Sequence, residues 1–312
     1  MWLKSTAQHL LGCATCTNLI ARLRVQFPES AAIARLAWHA GEGIDNKSLA
    51  RSYRALPGFY LTHDLSDHIL RHIYFGGDYE PEVSLLIRKL AQPGQVWWDI
   101  GANVGWFTYM LCQRVGPTGR VLAFEPNPRV SAWLMESKDL NSFSGVTICS
   151  VALSDREGES VLYVPSDVNG VTGGNGRPAL LKHEDIEVAG FITVPIKTDT
   201  IDHLIGLGEP APFGIKIDVE GWESAVFKGG SEMFKRTPPA IIISEVNHFP
   251  RCLSSPAALI SQLQSLGYSA WHVETLAPYC FERPIDGSKF KDFVFVHSSY
   301  PELIESINAG LP

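Results

Sequence analysis

Three sets of polar residues in this sequence can take part in chemistry, and each set ends or interrupts a short apolar run. Asp99 closes one run, and Glu125 directly follows the next. Lys216, Asp218 and Glu220 alternate with aliphatic residues further along the chain. Carboxylate oxygens accept hydrogen bonds from hydroxyl and amino groups. These residues are therefore typical of a site that binds a small polar ligand.

The alternating set suggests a second chemical centre. Alternate side chains of a strand point to the same side, so Lys216, Asp218 and Glu220 are predicted to lie on one side. Three charges on a central strand are costly to bury unless they are paired or used. The functional interpretation has Asp218 orienting a ligand, Glu220 acting as a base and Lys216 contacting the substrate. The structural alternative is a lysine–aspartate ion pair plus an acidic cap on the helix at Trp222.

Further candidates lie outside these runs. His248 follows the predicted strand 240–245 at the same sheet edge, and it is a second candidate base beside Glu220. Tyr79 and Glu80 precede the core and are expected to close over the site and contact the substrate. Acidic residues at strand ends can also bind magnesium. No ligand spacing indicates a metal site here, and none is predicted.

The stretch 96–105 positions the first of these groups. It reads as a buried strand that contains Asp99, a turn through Gly101 and a helix that begins near Gly105. Glycine lacks the Cβ that keeps a ligand away from the backbone. A helix start directs free N–H groups and a partial positive charge at a ligand. Open α/β sheets bind ligands in this crevice, so the turn predicts a cofactor site.

Two residues limit the kind of cofactor. Glu125, at the end of the second strand, can accept hydrogen bonds from ribose hydroxyls, as in dinucleotide-binding folds. The turn, however, has Asn103 where the dinucleotide fingerprint has its second glycine, so a pyrophosphate fits less easily. A nucleoside without phosphate, such as S-adenosylmethionine (SAM), fits better. An NAD-dependent oxidoreductase remains the alternative.

Apolar runs alternate with helical patterns in the rest of the chain. Strands are predicted at 96–100, 120–124, 146–151, 213–219 and 240–245, and helices near 105–114, 129–140, 222–234 and 256–266. This alternation favours right-handed crossovers and a parallel sheet covered on both faces. Residues 268–273 and 292–297 have no helix between them, so they are expected to pair antiparallel. Two further strand-like stretches, 160–164 and 191–197, interrupt the alternation.

Three ordered motifs resemble those of the FkbM-type SAM-dependent methyltransferases. They are Asp-Ile-Gly-Ala-Asn-Val-Gly at 99–105, Ala-Phe-Glu-Pro-Asn-Pro at 123–128 and Lys-Ile-Asp-Val-Glu-Gly-Trp-Glu at 216–223. The segment 194–202 is similar to the connecting segment of that family. Strand–glycine turn–helix units are common, so the order and spacing of the whole set carry the resemblance.

The resemblance implies a fold and a cofactor. The fold class is α/β, a Rossmann-like class I methyltransferase fold with a seven-stranded, mostly parallel sheet whose last strand is antiparallel. Asp99, Gly101 and Asn103 would border the methionine part of SAM, Glu125 would bind its ribose, and Ala152 would lie near its adenine. The acceptor would be a hydroxyl of a sugar, glycoconjugate or natural product. The other cofactor-binding candidates of the first motif are Ala102 and Gly105.

Composition excludes several classes of protein. The 312 residues are 45% hydrophobic and 19% charged, which is typical of a globular chain. A net charge of −7 argues against a protein that neutralises nucleic-acid phosphates. No apolar run is long enough to span a bilayer. The six cysteines do not form a small disulfide framework, so the cytoplasm is the expected location.

The chain is predicted to have two parts. Residues 1–60 form a helical N-terminal appendage, and residues 61–312 form the methyltransferase domain, with its core at 94–298. A broad apolar face on the N-terminal helices, which are predicted within 5–38, would favour a homodimer or a lid rather than an independent domain. A non-catalytic scaffold that keeps the fold and binds partners through the appendage is the remaining alternative.

Overall fold

A computed structural model describes most of the proposed catalytic domain. The described residues are 52–54, 58–62, 68–165, 177–178, 191–246, 253–279 and 292–311, together with Leu19. The helices predicted within 5–38 and the candidate base His248 lie outside the described residues.

The elements follow the predicted alternation. The strands are β1 Ser52–Arg54, β2 Tyr60–Thr62, β3 Val96–Ile100, β4 Arg120–Phe124, β5 Val146–Cys149, β6 Ala152–Leu153, β7 Gly158–Pro165, β8 Arg177–Pro178, β9 Phe191–Asp199, β10 Gly214–Ile217, β11 Ile241–Glu245, β12 Tyr268–His272 and β13 Asp292–His297. The helices are α1 His68–Gly76, α2 Pro81–Leu90, α3 Trp106–Val115, α4 Pro128–Leu140, α5 Ile201–Gly206, α6 Glu223–Gly229, α7 Ser231–Arg236, α8 Pro256–Ser265 and α9 Pro301–Asn308.

A seven-stranded sheet forms the centre of the fold, with the order β12-β13-β11-β10-β3-β4-β5. The neighbouring pairs from β11 to β5 are parallel, and β13 is antiparallel to both β11 and β12. This topology confirms the predicted Rossmann-like class I methyltransferase fold and the antiparallel pairing of 268–273 with 292–297.

A second sheet stands beside the first. Its four strands have the order β6-β9-β7-β8. The two strand-like stretches that interrupted the sequence pattern are β7 and β9, which pair antiparallel from Gly158↔Thr198 to Pro165↔Phe191. β6 joins β9 in parallel and follows β5 almost directly, so the second sheet begins at the edge of the first.

The central sheet is buried on both faces. On β3, Trp97 belongs to an apolar core shared with residues of α2 and α3, and its neighbour Trp98 belongs to a core shared with residues of α6 and α8. Both tryptophans are fully buried. Burial on both faces explains why the strands appear in the sequence as continuous apolar runs.

The prediction of one helix near 222–234 is wrong, because α6 and α7 are separate helices that meet at Gly230. A Cβ at Gly230 would lie 2.9 Å from the Phe234 ring. Asp202 accepts the backbone N–H groups of Glu232 and Met233 and so stabilises the new helix start.

β2 lies against α4 rather than apart from the domain. The Tyr60 N–H donates to Asn141 Oδ1 at 2.8 Å, and the Thr62 N–H donates to Ser137 Oγ at 2.7 Å. The expected boundary between residues 60 and 61 therefore falls inside a strand, and the two-part division of the chain stays a prediction. Among the described helices, none is both long and apolar enough to cross a bilayer.

Candidate active site

A cavity of about 270 Å³ opens at the carboxyl ends of β3, β4 and β10, between the two sheets. A crevice at this edge is where open α/β sheets bind ligands. The sequence-predicted residues that line it are Tyr79, Gly101, Asn103, Glu125, Ala152, Asp218 and Glu220. The predicted residues outside that lining are Glu80, Asp99, Ala102, Gly105 and Lys216.

Gly101 is required by packing rather than by ligand approach. Its φ is +84°, and a Cβ there would lie 1.9 Å from the backbone oxygen of Asp218. The N–H groups of Gly101 and Ala102 both donate to the Phe124 carbonyl, at 3.0 and 2.9 Å. Gly105 has a φ of +92°, and its Cβ would overlap the Leu134 side chain. Ala102 and Gly105 thus shape the turn that positions the cavity wall.

Glu125 closes the turn. Its Oε2 accepts the Asn103 N–H at 2.9 Å, and its Oε1 accepts the Asn127 N–H at 2.8 Å. Burial raises the pKa of Glu125 to about 7, although the two backbone hydrogen bonds lower it. Each carboxylate oxygen can accept a further hydrogen bond. The side chain that holds the turn can therefore also bind two adjacent hydroxyl groups.

Two buried oxygen atoms beside this turn have no protein donor among the described residues. Asp99 Oδ2 accepts the Thr108 hydroxyl at 2.6 Å, but Asp99 Oδ1 has no hydrogen-bond partner there, and neither has Asn103 Oδ1. Asp99 is fully buried, which raises the pKa of its carboxyl. Buried acceptors are normally satisfied. Of the two residues, Asn103 lines the cavity, so its Oδ1 fits a ligand that brings a donor, such as an ammonium group.

An indole lies at the other end of the cavity. Trp222 lines the cavity with Ala152, and its Nε1 donates to the buried Ser154 hydroxyl at 3.0 Å. A flat aromatic side chain held by one hydrogen bond suits a planar base. Asp155, which follows Ser154, forms an ion pair with Lys228 at 2.8 Å.

Lys216 and Asp218 form the predicted ion pair. Lys216 Nζ lies 3.0 Å from Asp218 Oδ2 and 4.8 Å from the centre of the Phe107 ring. Burial alone lowers the pKa of Lys216, but Asp218, Glu80 and Asp99 outweigh it and leave the pKa raised. The Lys216 side chain is 6% exposed, whereas the Asp218 side chain is 24% exposed and lines the cavity. Of the pair, only Asp218 can touch a ligand.

Glu245 is a site residue that sequence reasoning did not select. It ends β11, next to β10, and its side chain shares a hydrogen bond with Asp218. Burial and the negative charge of Asp218 raise the pKa of Glu245 far above its usual range. Its sequence signal was an acidic residue at the end of a buried strand, the same signal that identified Asp99 and Glu125.

The expected position of Glu220 is wrong. β10 ends at Ile217, so strand alternation does not reach Glu220, which lies in a turn with a φ of +54°. Glu220 is exposed and lines the cavity mouth. The turn is held by Glu223 Oε1, which accepts the N–H groups of Val219 and Gly221 at 3.3 and 3.1 Å. Glu223 is thus the acidic residue that satisfies the backbone at the start of α6.

Tyr79 lines the cavity, whereas its neighbour Glu80 does not. Glu80 directly precedes α2 and has a φ of +44°. Burial raises the pKa of Tyr79, and a hydrogen bond with Glu80 adds to this effect. The Tyr79 ring lies 6.3 Å from the Phe107 ring, which also covers Lys216. These contacts place the α1–α2 turn beside Lys216, at the cavity that Tyr79 lines.

One possible metal-binding group occurs in the described part of the chain. Ligand atoms of Glu157, Asp199 and His203 lie within 4.8 Å of one another. His203 Nδ1 is 2.8 Å from Asp199 Oδ1, so an ion pair accounts for the arrangement. The three residues are not part of the cavity lining.

Known proteins resemble this chain over the same region. The family model described as "Methyltransferase FkbM domain" matches residues 99–270. A hexuronic acid methyltransferase from Haloferax volcanii is 31% identical over 151 residues, which is 48% of this chain and 56% of that relative. The chain therefore spans only about half the length of the curated relative it matches.

Two solved structures are similar in fold. A methyltransferase FkbM from Methylobacillus flagellatus KT is 15% identical and has a TM-score of 0.41, covering 73% of this chain and 52% of that one. A SAM-dependent O-methyltransferase from Thermotoga maritima is 14% identical with a TM-score of 0.37, covering 79% of this chain and 77% of that one. The family model spans more than half of the sequence and includes all three motifs, from Asp99 to Glu223. The chain belongs to the FkbM methyltransferase domain family.

Proposed function

We propose that this protein is a SAM-dependent methyltransferase that methylates a hydroxyl group of a sugar, glycoconjugate or natural product. The observation that carries the proposal is the cavity at the carboxyl ends of the strands, in which Glu125 closes a turn without a second fingerprint glycine. Family membership supports SAM over NAD. The hexuronic acid methyltransferase among the relatives supports a sugar as the acceptor.

The cavity fits the parts of SAM in order. Glu125 would accept hydrogen bonds from the ribose, and Trp222 and Ala152 would contact the adenine. Asn103 Oδ1, which has no hydrogen-bond partner among the described residues, would accept a hydrogen bond from the ammonium group of the methionine part, and the buried Asp99 would border that group. When bound, SAM supplies a methyl group already activated by its positive sulfur.

The protein must then position the acceptor and take up its proton. An attacking oxygen has to lie in line with the methyl–sulfur bond, and positioning contributes much of the acceleration. Asp218 is suited to accept a hydrogen bond from the acceptor hydroxyl, since it is the half of the ion pair that faces the cavity. Glu220 at the cavity mouth and His248 are the candidate bases. Tyr79 and Glu80 would contact the acceptor and exclude water.

Calorimetric titration with SAM tests the cofactor assignment. We expect saturable binding to the full chain, and a large loss of affinity in a Glu125→Ala variant. Glu209→Ala is the matched control, because Glu209 forms an ion pair with Arg120, the first residue of β4, at the opposite end of that strand. Absence of SAM binding by the native protein, or equal binding by the Glu125 and Glu209 variants, would refute the assignment.

Mass spectrometry tests the reaction. The full chain is incubated with SAM carrying a deuterated methyl group and with a metabolite extract, and we expect a product that carries the labelled methyl group on oxygen. Turnover of that acceptor by a Glu220→Gln variant tests the base. Full activity in this variant would eliminate Glu220 and leave His248 as the candidate.

We also propose a cytoplasmic location and a homodimer formed through residues 1–60. Light scattering of the full chain measures the mass of the particle, and a monomer of 34.4 kDa would exclude the dimer.

A further inference from the structure

Three carboxyl groups, of Asp218, Glu245 and Asp292, lie side by side at the ends of neighbouring strands, and one of them, Asp218, lines the cavity. Ile217 pairs with Ser244 across the parallel β10 and β11, so the residues that follow, Asp218 and Glu245, are neighbours. Glu245 in turn pairs with Asp292 across the antiparallel β11 and β13. Residues in register point to the same face of a sheet. The three carboxyl groups therefore lie on the face of the sheet that also carries Lys216.

The contact between Asp218 and Glu245 requires a proton. Two carboxylates that share a hydrogen bond cannot both be ionised, because only a protonated carboxyl is a donor. Lys216 decides which of the two keeps the charge, since its Nζ lies 3.0 Å from Asp218 Oδ2. Asp218 is therefore the carboxylate, and Glu245 is the carboxylic acid that donates to it.

We propose that Glu245 is the positioning residue of the acceptor end: as a neutral carboxylic acid it donates a hydrogen bond to Asp218 and, with Lys216, orients the Asp218 carboxylate toward the acceptor hydroxyl. The inference rests on the proposed function for the identity of the acceptor. The proton-sharing pair itself rests only on the hydrogen bond, the strand register and the ion pair.

Charges on every side of the pair agree with this assignment. Burial by itself raises the pKa of Asp218, but Lys216 and the hydrogen bond from Glu245 hold it below its usual range. Burial, followed by the charges of Asp218 and Glu220, raises the pKa of Glu245. The titratable groups that interact with the pair or with its lysine are Tyr79 and Glu80 from the α1–α2 turn, Asp99 from β3, Glu125 after β4, Lys216 from β10, Glu220 and Glu223 from the following turn and helix, and Asp292 from β13.

The assignment separates two roles at the acceptor end. A carboxylate that accepts from both Lys216 and Glu245 is a poor proton acceptor, because its ionised form is stabilised. Asp218 therefore aligns the hydroxyl, and the proton must leave to another group. Glu245 acts through Asp218 without touching the acceptor.

Two substitutions of Glu245 distinguish a role in positioning Asp218 from a role in packing. Glu245→Gln keeps a donor of nearly the same shape, whereas Glu245→Ala removes the donor. The matched controls are Glu209→Gln and Glu209→Ala, at a partly exposed carboxylate that also faces a cation. Thermal unfolding of all four variants checks that each one is folded.

Carbon-13 NMR of the Asp and Glu carboxyl carbons in the full chain provides the first readout, with signals assigned from Asp218→Asn and Glu245→Gln. At neutral pH we expect Glu245 at the chemical shift of a protonated acid and Asp218 at that of a carboxylate. In Glu245→Ala the pKa of Asp218 should rise by about one to two units, because a hydrogen bond to the charged form is lost. In Glu245→Gln it should stay low. An ionised Glu245 at neutral pH, or an unchanged Asp218 pKa in Glu245→Ala, would overturn the inference.

Methyl transfer to the methyl glycosides of glucose, mannose and galactose provides the second readout. Glu245→Ala should raise KM for the sugar about tenfold to a hundredfold, the worth of one hydrogen bond to a charged group. Its affinity for S-adenosylhomocysteine should be unchanged, and Glu245→Gln should restore most of the loss. The wild type should lose activity as the pH rises through the raised pKa of Glu245, and Glu245→Gln should lack this alkaline loss. An equal rise of KM in Glu245→Gln and Glu245→Ala would overturn the inference. If the wild type methylates none of these sugars, the proposed acceptor class fails, while the NMR result still decides the state of Glu245.

Discussion

Binding of the cofactor should depend on pH through one carboxyl group, Glu125. Burial raises the pKa of Glu125 from 4.5 to about 7. Ribose hydroxyls are donors and therefore favour the ionised carboxylate. Protonation of Glu125 below this pKa should weaken binding of S-adenosylhomocysteine, and calorimetric titrations from pH 5.5 to 8.5 measure the effect.

The expected size of this pH effect on binding follows from the pKa of Glu125. If only the ionised form binds the ribose, the dissociation constant rises about tenfold for each pH unit below a pKa of about 7 and levels off above it. The Glu125→Gln variant cannot ionise. It also replaces one acceptor oxygen by an amide group that faces a backbone N–H, and the lost hydrogen bond to the carboxylate is worth about 1.5 to 3 kcal/mol of free energy.

The ratio of the two dissociation constants is the decisive quantity. The ligand and the other titrating groups contribute equally to both proteins, so their effects cancel in the ratio. At pH 8 the variant should bind about tenfold to a hundredfold more weakly than the wild type, and at pH 6 most of this difference should be gone. A ratio that stays constant across the pH range would mean that ionisation of Glu125 does not control binding, and the reasoning would be refuted.

Three further predictions concern stability. Gly101→Ala should destabilise the fold strongly, because its Cβ would lie 1.9 Å from the Asp218 carbonyl oxygen. The control Gly116→Ala has free space around its Cβ and should cost only the backbone strain, about 1 to 2 kcal/mol. Urea unfolding measures the stability of both variants. Lys216→Met leaves Asp218 without its cation and should cost about 3 to 5 kcal/mol at pH 7 and less at acid pH, as the carboxyl is protonated. Glu125 keeps its proton in the folded state between pH 4.5 and about 7. The protonated Glu125 therefore stabilises the fold below this pH window, and up to about 3 kcal/mol of the free energy of unfolding is lost as the pH rises through it. Glu125→Gln cannot ionise, so the free energy of unfolding of this variant should depend less on pH across that range.

Local patterns were enough to predict the framework of the fold. The run that contains Asp99 and the run before Glu125 are strands that are buried at every position after the first, and burial on both faces produces an uninterrupted apolar signal. The antiparallel pairing at the end of the chain followed from the missing helix between its two strands. Glu125 could be selected because its place at the end of a parallel strand is itself a local feature.

The rest depended on contacts between residues that are distant in the sequence. Glu220 was placed on the strand, but β10 ends three residues earlier, at Ile217, and the turn that follows is held by the buried Glu223 carboxyl. Glu245 was missed as a partner, because its pairing with Asp218 exists only once β10 and β11 are neighbours in the sheet. Sequence patterns report the burial of a strand well, but they do not report which strand lies beside it.

Asp218 joins the two halves of the proposed site through different parts of the same residue. Its carbonyl occupies the space that a Cβ at position 101 would need, so the turn beside the cofactor can approach β10 only if that position is glycine. Its carboxylate is held by Lys216 and Glu245, on the side where the acceptor would lie. A shift of the Asp218 backbone therefore moves the cofactor turn and the acceptor carboxylate together. A side chain at position 101 should consequently weaken the binding of both ligands, whereas loss of Glu245 should weaken acceptor binding alone.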